Sequence, residues 1–143
     1  ILAFLQQEKI GVLSTVRENG FPDAALIYFL LDGETIFFLT RHDSRKALNI
    51  QKNSHILITV SRADAKEVVQ IRGLAEVMPA HDAHIDDRLL QLAARVQGEA
   101  EVETVLPLLK HHNGAVVLVK VNLTELRWRK YSRLGLEEER VSL

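Results

Sequence analysis

The chain has 143 residues, 47% apolar and 26% charged, which fits one globular domain spanning 1–143, long enough to bury roughly 70% of its unfolded surface. A net charge of −1 gives no broad attraction to nucleic acid or an anionic membrane, and the absence of cysteine excludes disulfides, thiolate catalysis and cysteine-ligated metals. No apolar run approaches the roughly eighteen residues of a membrane span, and a cysteine-free chain fits a cytoplasmic setting; it begins at Ile1 rather than Met, which leaves a removed leader open.

Positions 1–9 read as the end of an amphipathic helix, with Leu2 and Leu5 three apart. Positions 10–17 alternate as a strand, with Ile10, Val12, Ser14 and Val16 on one side and Gly11, Leu13 and Thr15 on the other. Asn19-Gly20 is a hairpin signal, and Pro22 opens the next strand, where a missing N–H does least harm. Positions 23–31 are apolar on both faces, so both faces are expected to be covered. Asp32-Gly33 turns the chain into 35–40, a β-branched and aromatic strand that completes an antiparallel meander.

A helix is expected next, with Asp43 at its N-cap, Asn53 at its stop, and Ala47 and Ile50 on its core stripe. Its first turn carries Ser44, Arg45 and Lys46, with Thr40 just before it. A helix N-terminus has unpaired N–H groups and partial positive charge, so two hydroxyls, two cations and free amides could together hold a phosphate. The plainer alternative is that Asp43 or Ser44 simply caps the helix and the cations are solvated.

Positions 55–62 alternate as a fourth strand, 63–66 form a polar connection, and 67–78 make a long fifth strand interrupted by Gly73, a sign of a bulge or a close backbone approach. Helical spacing covers 79–112, divided at Gly98 and perturbed by Pro107. Positions 115–124 read as the last strand, and 125–143 as a charged tail containing Trp128 and Tyr131. Six strands with helices set apart predict an α+β, mostly β fold: a six-stranded antiparallel split β-barrel with peripheral helices.

The segment FLTRHDSRK, Phe38 to Lys46, resembles the strand-turn-helix of the pyridoxamine 5′-phosphate oxidase-like flavoproteins, the FMN-binding split-barrel family, and the order of elements agrees over about 10–123. The resemblance implies a six-stranded split barrel that pairs into a homodimer, with FMN at the interface and an oxidoreductase activity on a small molecule. It further implies that Arg45 and Lys46 bind the FMN phosphate, that Ser44 adds a hydroxyl, and that Leu39 and Thr40 lie along the ribityl chain or phosphate. It places a Gly in the fifth strand, here Gly73, and a Gln a few residues before it. Val68 stands at that position, and Gln70 lies nearby on the same face.

Two departures set the chain apart from true pyridoxamine phosphate oxidases. Their second strand carries basic residues that touch the flavin, and 24–29 here has none; their C-terminal Arg-Leu-His-Asp-Arg substrate motif is absent, and Trp128-Arg-Lys-Tyr131 does not replace it. Pyridoxamine phosphate is therefore not the expected substrate, and no catalytic acid or base is legible. Members of this fold that bind deazaflavin or haem keep a non-enzymatic holder or sensor as the alternative, with His42 among the candidate haem contacts. His81 and His84, with Asp82, Asp86 and Asp87, read as a solvated helix start whose acids complement the dipole, not as a metal site, and His111 and His112 as a helix end. Trp128 and Tyr131 read as packing residues, with stacking on a ring from the partner subunit as the alternative.

Overall fold

The computed structural model describes residues 1–78 and 116–143. Their elements are α1 (Leu2–Gln7), β1 (Ile10–Val16), β2 (Pro22–Asp32), β3 (Thr35–Arg41), α2 (Arg45–Lys52), β4 (His55–Ser61), β5 (Glu67–Met78), β6 (Val116–Ser132) and β7 (Gly135–Ser142). The helices expected over 79–112 lie outside the described residues, and so do His81, His84, His111 and His112.

The strands run β3-β2-β1-β4-β5-β6-β7, and a further β3–β6 pairing closes the first six into an antiparallel barrel. Closure depends on the length of β6. Its first half pairs with β3 (Val117 opposite Thr40, Val121 opposite Ile36), while its second half pairs with β7 (Leu126 opposite Val141). Strand β5 follows it along both halves, with a register shift between Arg72 and Gly73. Gly73 is needed there: a Cβ would sit 2.7 Å from the Asn122 carbonyl oxygen. The bulge lets β6 bend away from β3 toward β7.

Period-2 alternation puts Leu13, Ile27, Phe29, Ile36, Phe38, Ile58, Val60, Ile71 and Val121 inside the barrel, where each is at least nine-tenths buried. Phe4 and Leu5 of α1 and Ile50 of α2 join this core.

Two expectations change, and the third, cover on both faces of β2, is met within this chain on one face. The strand ending at 124 continues to Ser132, and the tail folds back as β7, giving seven strands, six of them in the barrel. The reason is periodic: Leu126 and Trp128 alternate with Arg127 and Arg129, so one face packs while the other carries charge. The N-cap is Ser44, not Asp43; its Oγ accepts the Ala47 N–H at 3.2 Å, while Asp43 pairs with Arg41 at 3.0 Å. On the other face of β2, Leu26 is 74% exposed and Tyr28 45%, beside Ile10 and Val12 of β1.

Candidate cofactor site at the start of α2

Strand β3 ends on Thr40 and Arg41, and a short turn delivers the chain to Ser44. Thr40 is buried, and its Oγ1 lies 2.9 Å from Ser44 Oγ, so the end of the strand and the start of the helix are tied through their hydroxyls. The Ser44 N–H bonds back to the Arg41 carbonyl at 3.1 Å, and Leu48 N–H closes the first helical turn on the Ser44 carbonyl at 3.0 Å. With Ala47 N–H taken by Ser44 Oγ, the amides of Arg45 and Lys46 are left without an intrahelical partner at the positive end of the helix.

Arg45 is exposed and Lys46 half-buried, and neither has a carboxylate within ion-pair distance among the described residues. Arg45 also borders an open cleft of about 530 Å³ between α2 and the β1–β2 turn, along with Arg17, Asn49 and Lys52. The arrangement is a cationic, amide-rich end with paired hydroxyls, and its chemistry is that of a phosphate cradle.

A buried polar network, not foreseen from the sequence, holds α2 in place. Asn49 is 5% exposed, and its Nδ2 donates to Thr15 Oγ1 at 3.0 Å and to Asp23 Oδ2 at 2.9 Å. Arg17 Nε donates to both Asp23 oxygens, at 2.9 and 2.8 Å. The Arg17 hydrogen bond, then that from Asn49, holds the Asp23 carboxyl below its ordinary 3.8, with the charges of Arg17 and Arg45 adding to the effect. This network sets the rotation of α2 against the β1–β2 hairpin, and with it the direction in which Arg45 and Lys46 point. The signal in the sequence was an Asn on the buried stripe of a helix, where its propensity is poor and a polar partner is required.

The predicted site residues divide. Thr40, Ser44, Arg45 and Lys46 come together at the rim of the barrel. Leu39, adjacent in sequence, faces the other way and packs against Phe37 and Leu118 in a second apolar cluster. Gln70 stands on the outer wall of β5, between Thr59 of β4 and Arg127 of β6. Val68, two residues before it, is half-buried. His42 is exposed in the turn before α2.

The barrel topology is that of the pyridoxamine 5′-phosphate oxidase class of split barrels. A family model described as pyridoxamine 5′-phosphate oxidase matches residues 1–129, and the chain belongs to that family. A pyridoxine/pyridoxamine 5′-phosphate oxidase of Legionella pneumophila (strain Paris) is 31% identical over 83 residues, 56% of this chain. That match spans only 39% of the relative's own length. Among solved structures, an F420 reductase is 26% identical with a TM-score of 0.67, covering 87% of this chain and 93% of that one. A pyridoxamine 5′-phosphate oxidase-related, FMN-binding protein of Nostoc punctiforme shares the fold at 17% identity and a TM-score of 0.66, with 94% and 86% of the two chains covered. A haem storage protein of Vibrio cholerae shares it at 17% identity and a TM-score of 0.67, with 99% and 91% covered.

Proposed function

We propose that this chain is an FMN-binding flavoprotein, an oxidoreductase acting on a small molecule, with the cofactor held at a homodimer interface. The observation that carries the reading is the unneutralised pair Arg45 and Lys46, set on two free helix amides beside the Thr40–Ser44 hydroxyl pair. A phosphate monoester supplies what this cluster lacks: two negative charges and acceptor oxygens. Family membership and the FMN-binding relative support the assignment.

The dimer rests on the outer face of the sheet. Ile10, Val12, Leu26 and Tyr28 are all more than one-third exposed and lie on neighbouring strands, with Val12 directly opposite Leu26 and Ile10 opposite Tyr28. A contiguous apolar patch of this kind marks a protein interface, and a second copy of the chain is the occupant in this reading. Gln70 lies on the same outer face, two strands from Val12, and would meet a flavin ring across that interface.

When bound, FMN supplies the hydride and electron chemistry; the chain's residues anchor the phosphate and position the ring edge. Pyridoxamine phosphate is not the substrate in this reading, because β2 carries no cation. The protein is placed in the cytoplasm, in keeping with its cysteine-free sequence.

The test is an absorbance spectrum of the purified protein before and after adding FMN. A flavin spectrum that persists through desalting supports the assignment. Indifference to FMN with uptake of F420 would reassign the coenzyme to a deazaflavin, and a Soret band would reassign the protein to haem holding.

A further inference from the structure

The second half of β6 and the facing part of β7 carry a cluster that the site at α2 does not use. Arg127 lies opposite Gln70 on β5 and Arg140 on β7; Arg129 lies opposite Val68 and Glu138. Cross-strand partners share a face, so Arg127, Arg129, Arg140, Glu138 and Gln70 project together from the outer wall. Glu137 and Glu139 alternate to the other side, opposite Lys130 and Trp128.

The charges in this cluster do not cancel. Glu138 Oε1 accepts from Arg127 Nε at 2.8 Å and from Arg140 Nε at 3.0 Å, while its Oε2 stands 3.7 Å from Arg129 Nε. Among the described residues, one carboxylate therefore serves three guanidinium groups. The next acid along the wall, Glu125, is already 4.0 Å from Arg72. Arg127 and Arg129 are also substantially withdrawn from water, with side chains 27% and 29% exposed. The Arg129 Nε is fully buried and has no hydrogen-bond partner. Like charges set directly opposite each other across two strands repel, and a dry N–H without an acceptor costs free energy. An arrangement with both features is completed by an acceptor that carries negative charge.

We propose that Arg127, Arg129 and Arg140 form a second anion subsite on the outer wall beside Gln70, which takes the carboxylate or phosphate group of an acidic small molecule. The planar guanidinium groups match two oxygens of such a group at once. Resting on the flavoprotein reading, the subsite names the substrate class: a small acid whose charged end docks here. The binding claim itself needs no flavin.

The experiment titrates inorganic phosphate, and separately succinate, into the protein and follows the arginine Nε–Hε resonances in proton–nitrogen correlation spectra. It is run on the native chain and on the Arg45→Ala/Lys46→Ala variant, which lacks the α2 cations. Saturable movement of the Arg127, Arg129 and Arg140 resonances is expected in both proteins, with binding weakened at least tenfold in Arg129→Gln, read at Arg127 and Arg140, and in Arg127→Gln, read at Arg129 and Arg140. In Glu138→Gln, where the competing carboxylate is gone, binding should tighten several-fold. Tighter binding of phosphate than of succinate assigns a phosphate end to the substrate, and the reverse a carboxylate end. A non-saturating Arg129 signal, a titration indifferent to Arg129→Gln, or weaker binding in Glu138→Gln would overturn the subsite. None of these results depends on whether FMN binds, so the two proposals fail separately.

Discussion

Phe38 and Thr40 stand two residues apart on the same face of β3 and meet different chemistry. Phe38 is wholly buried in the barrel's apolar cluster with Phe29, Ile36 and Val119. Thr40 is nearly as buried, yet it lies at the rim and spends its hydroxyl on Ser44. At Arg45 and Lys46, just beyond Ser44, the amides have no intrahelical partner and the cations no carboxylate within ion-pair distance among the described residues. The interior is closed, with its interactions complete within the barrel. The rim is open, its geometry held by the barrel and its charge left for something from outside.

The contrast predicts that changes in the two regions separate stability from binding. Phe38→Ala should have the largest effect on folding, about 3–5 kcal/mol by chemical denaturation, with FMN affinity of the remaining folded protein within twofold of native. A matching collapse of affinity would show that the rim is not independently held. Arg45→Ala/Lys46→Ala should do the reverse. FMN binding should weaken about 100-fold, close to 2.7 kcal/mol, with the unfolding midpoint almost unchanged. Unaltered affinity would remove the phosphate assignment.

Leu26→Asp tests the open region on the outer wall. Burying a carboxylate in an apolar interface should cost about 1.5–3 kcal/mol of dimer affinity, visible as a shift to monomer in sedimentation at micromolar concentration. If the native protein sediments as a monomer, the interface reading fails. Ser44→Ala joins the two regions, since it removes a cap and also a hydroxyl that the proposed phosphate would meet. About 1 kcal/mol of stability and a several-fold loss of FMN affinity should go together.

The smallest effect is an acid limb. Asp23 has a lowered carboxyl pKa in the folded state, so its contribution is fully present above its ordinary 3.8 and is lost as pH falls through the lower folded value. The thermal midpoint should therefore decline below about pH 4, and less steeply in Asp23→Asn. Equal slopes would show that the Arg17–Asp23–Asn49 network does not govern the seating of α2.

Much of the barrel was legible because alternation is a local property. Ile58 and Ile71 declare their inward face by sequence spacing alone, and Gly20 and Gly33 mark turns where φ is positive. The tail was misread because its charge drew attention from its period. Arg127 and Arg129 alternate with Leu126 and Trp128, a strand period that the density of charge over 125–143 masks. The same pull toward charge placed the helix cap at Asp43, when Arg41 had already taken that carboxylate.

By itself the sequence determined the strand order along the chain, the position of α2, and the presence of two cations and two hydroxyls around its start. These follow from short-range rules of period, capping and helix-end charge, each acting over a few residues. Only the tertiary structure decided that Asn49 would meet Thr15 and Asp23 across 34 and 26 positions of chain. It also decided that Leu39 turns away from Thr40, that Gln70 faces the outer wall opposite Arg127, and that three arginines on two strands converge on one glutamate. Such meetings depend on register and closure, which link residues by the path of the sheet and not by their separation along the chain.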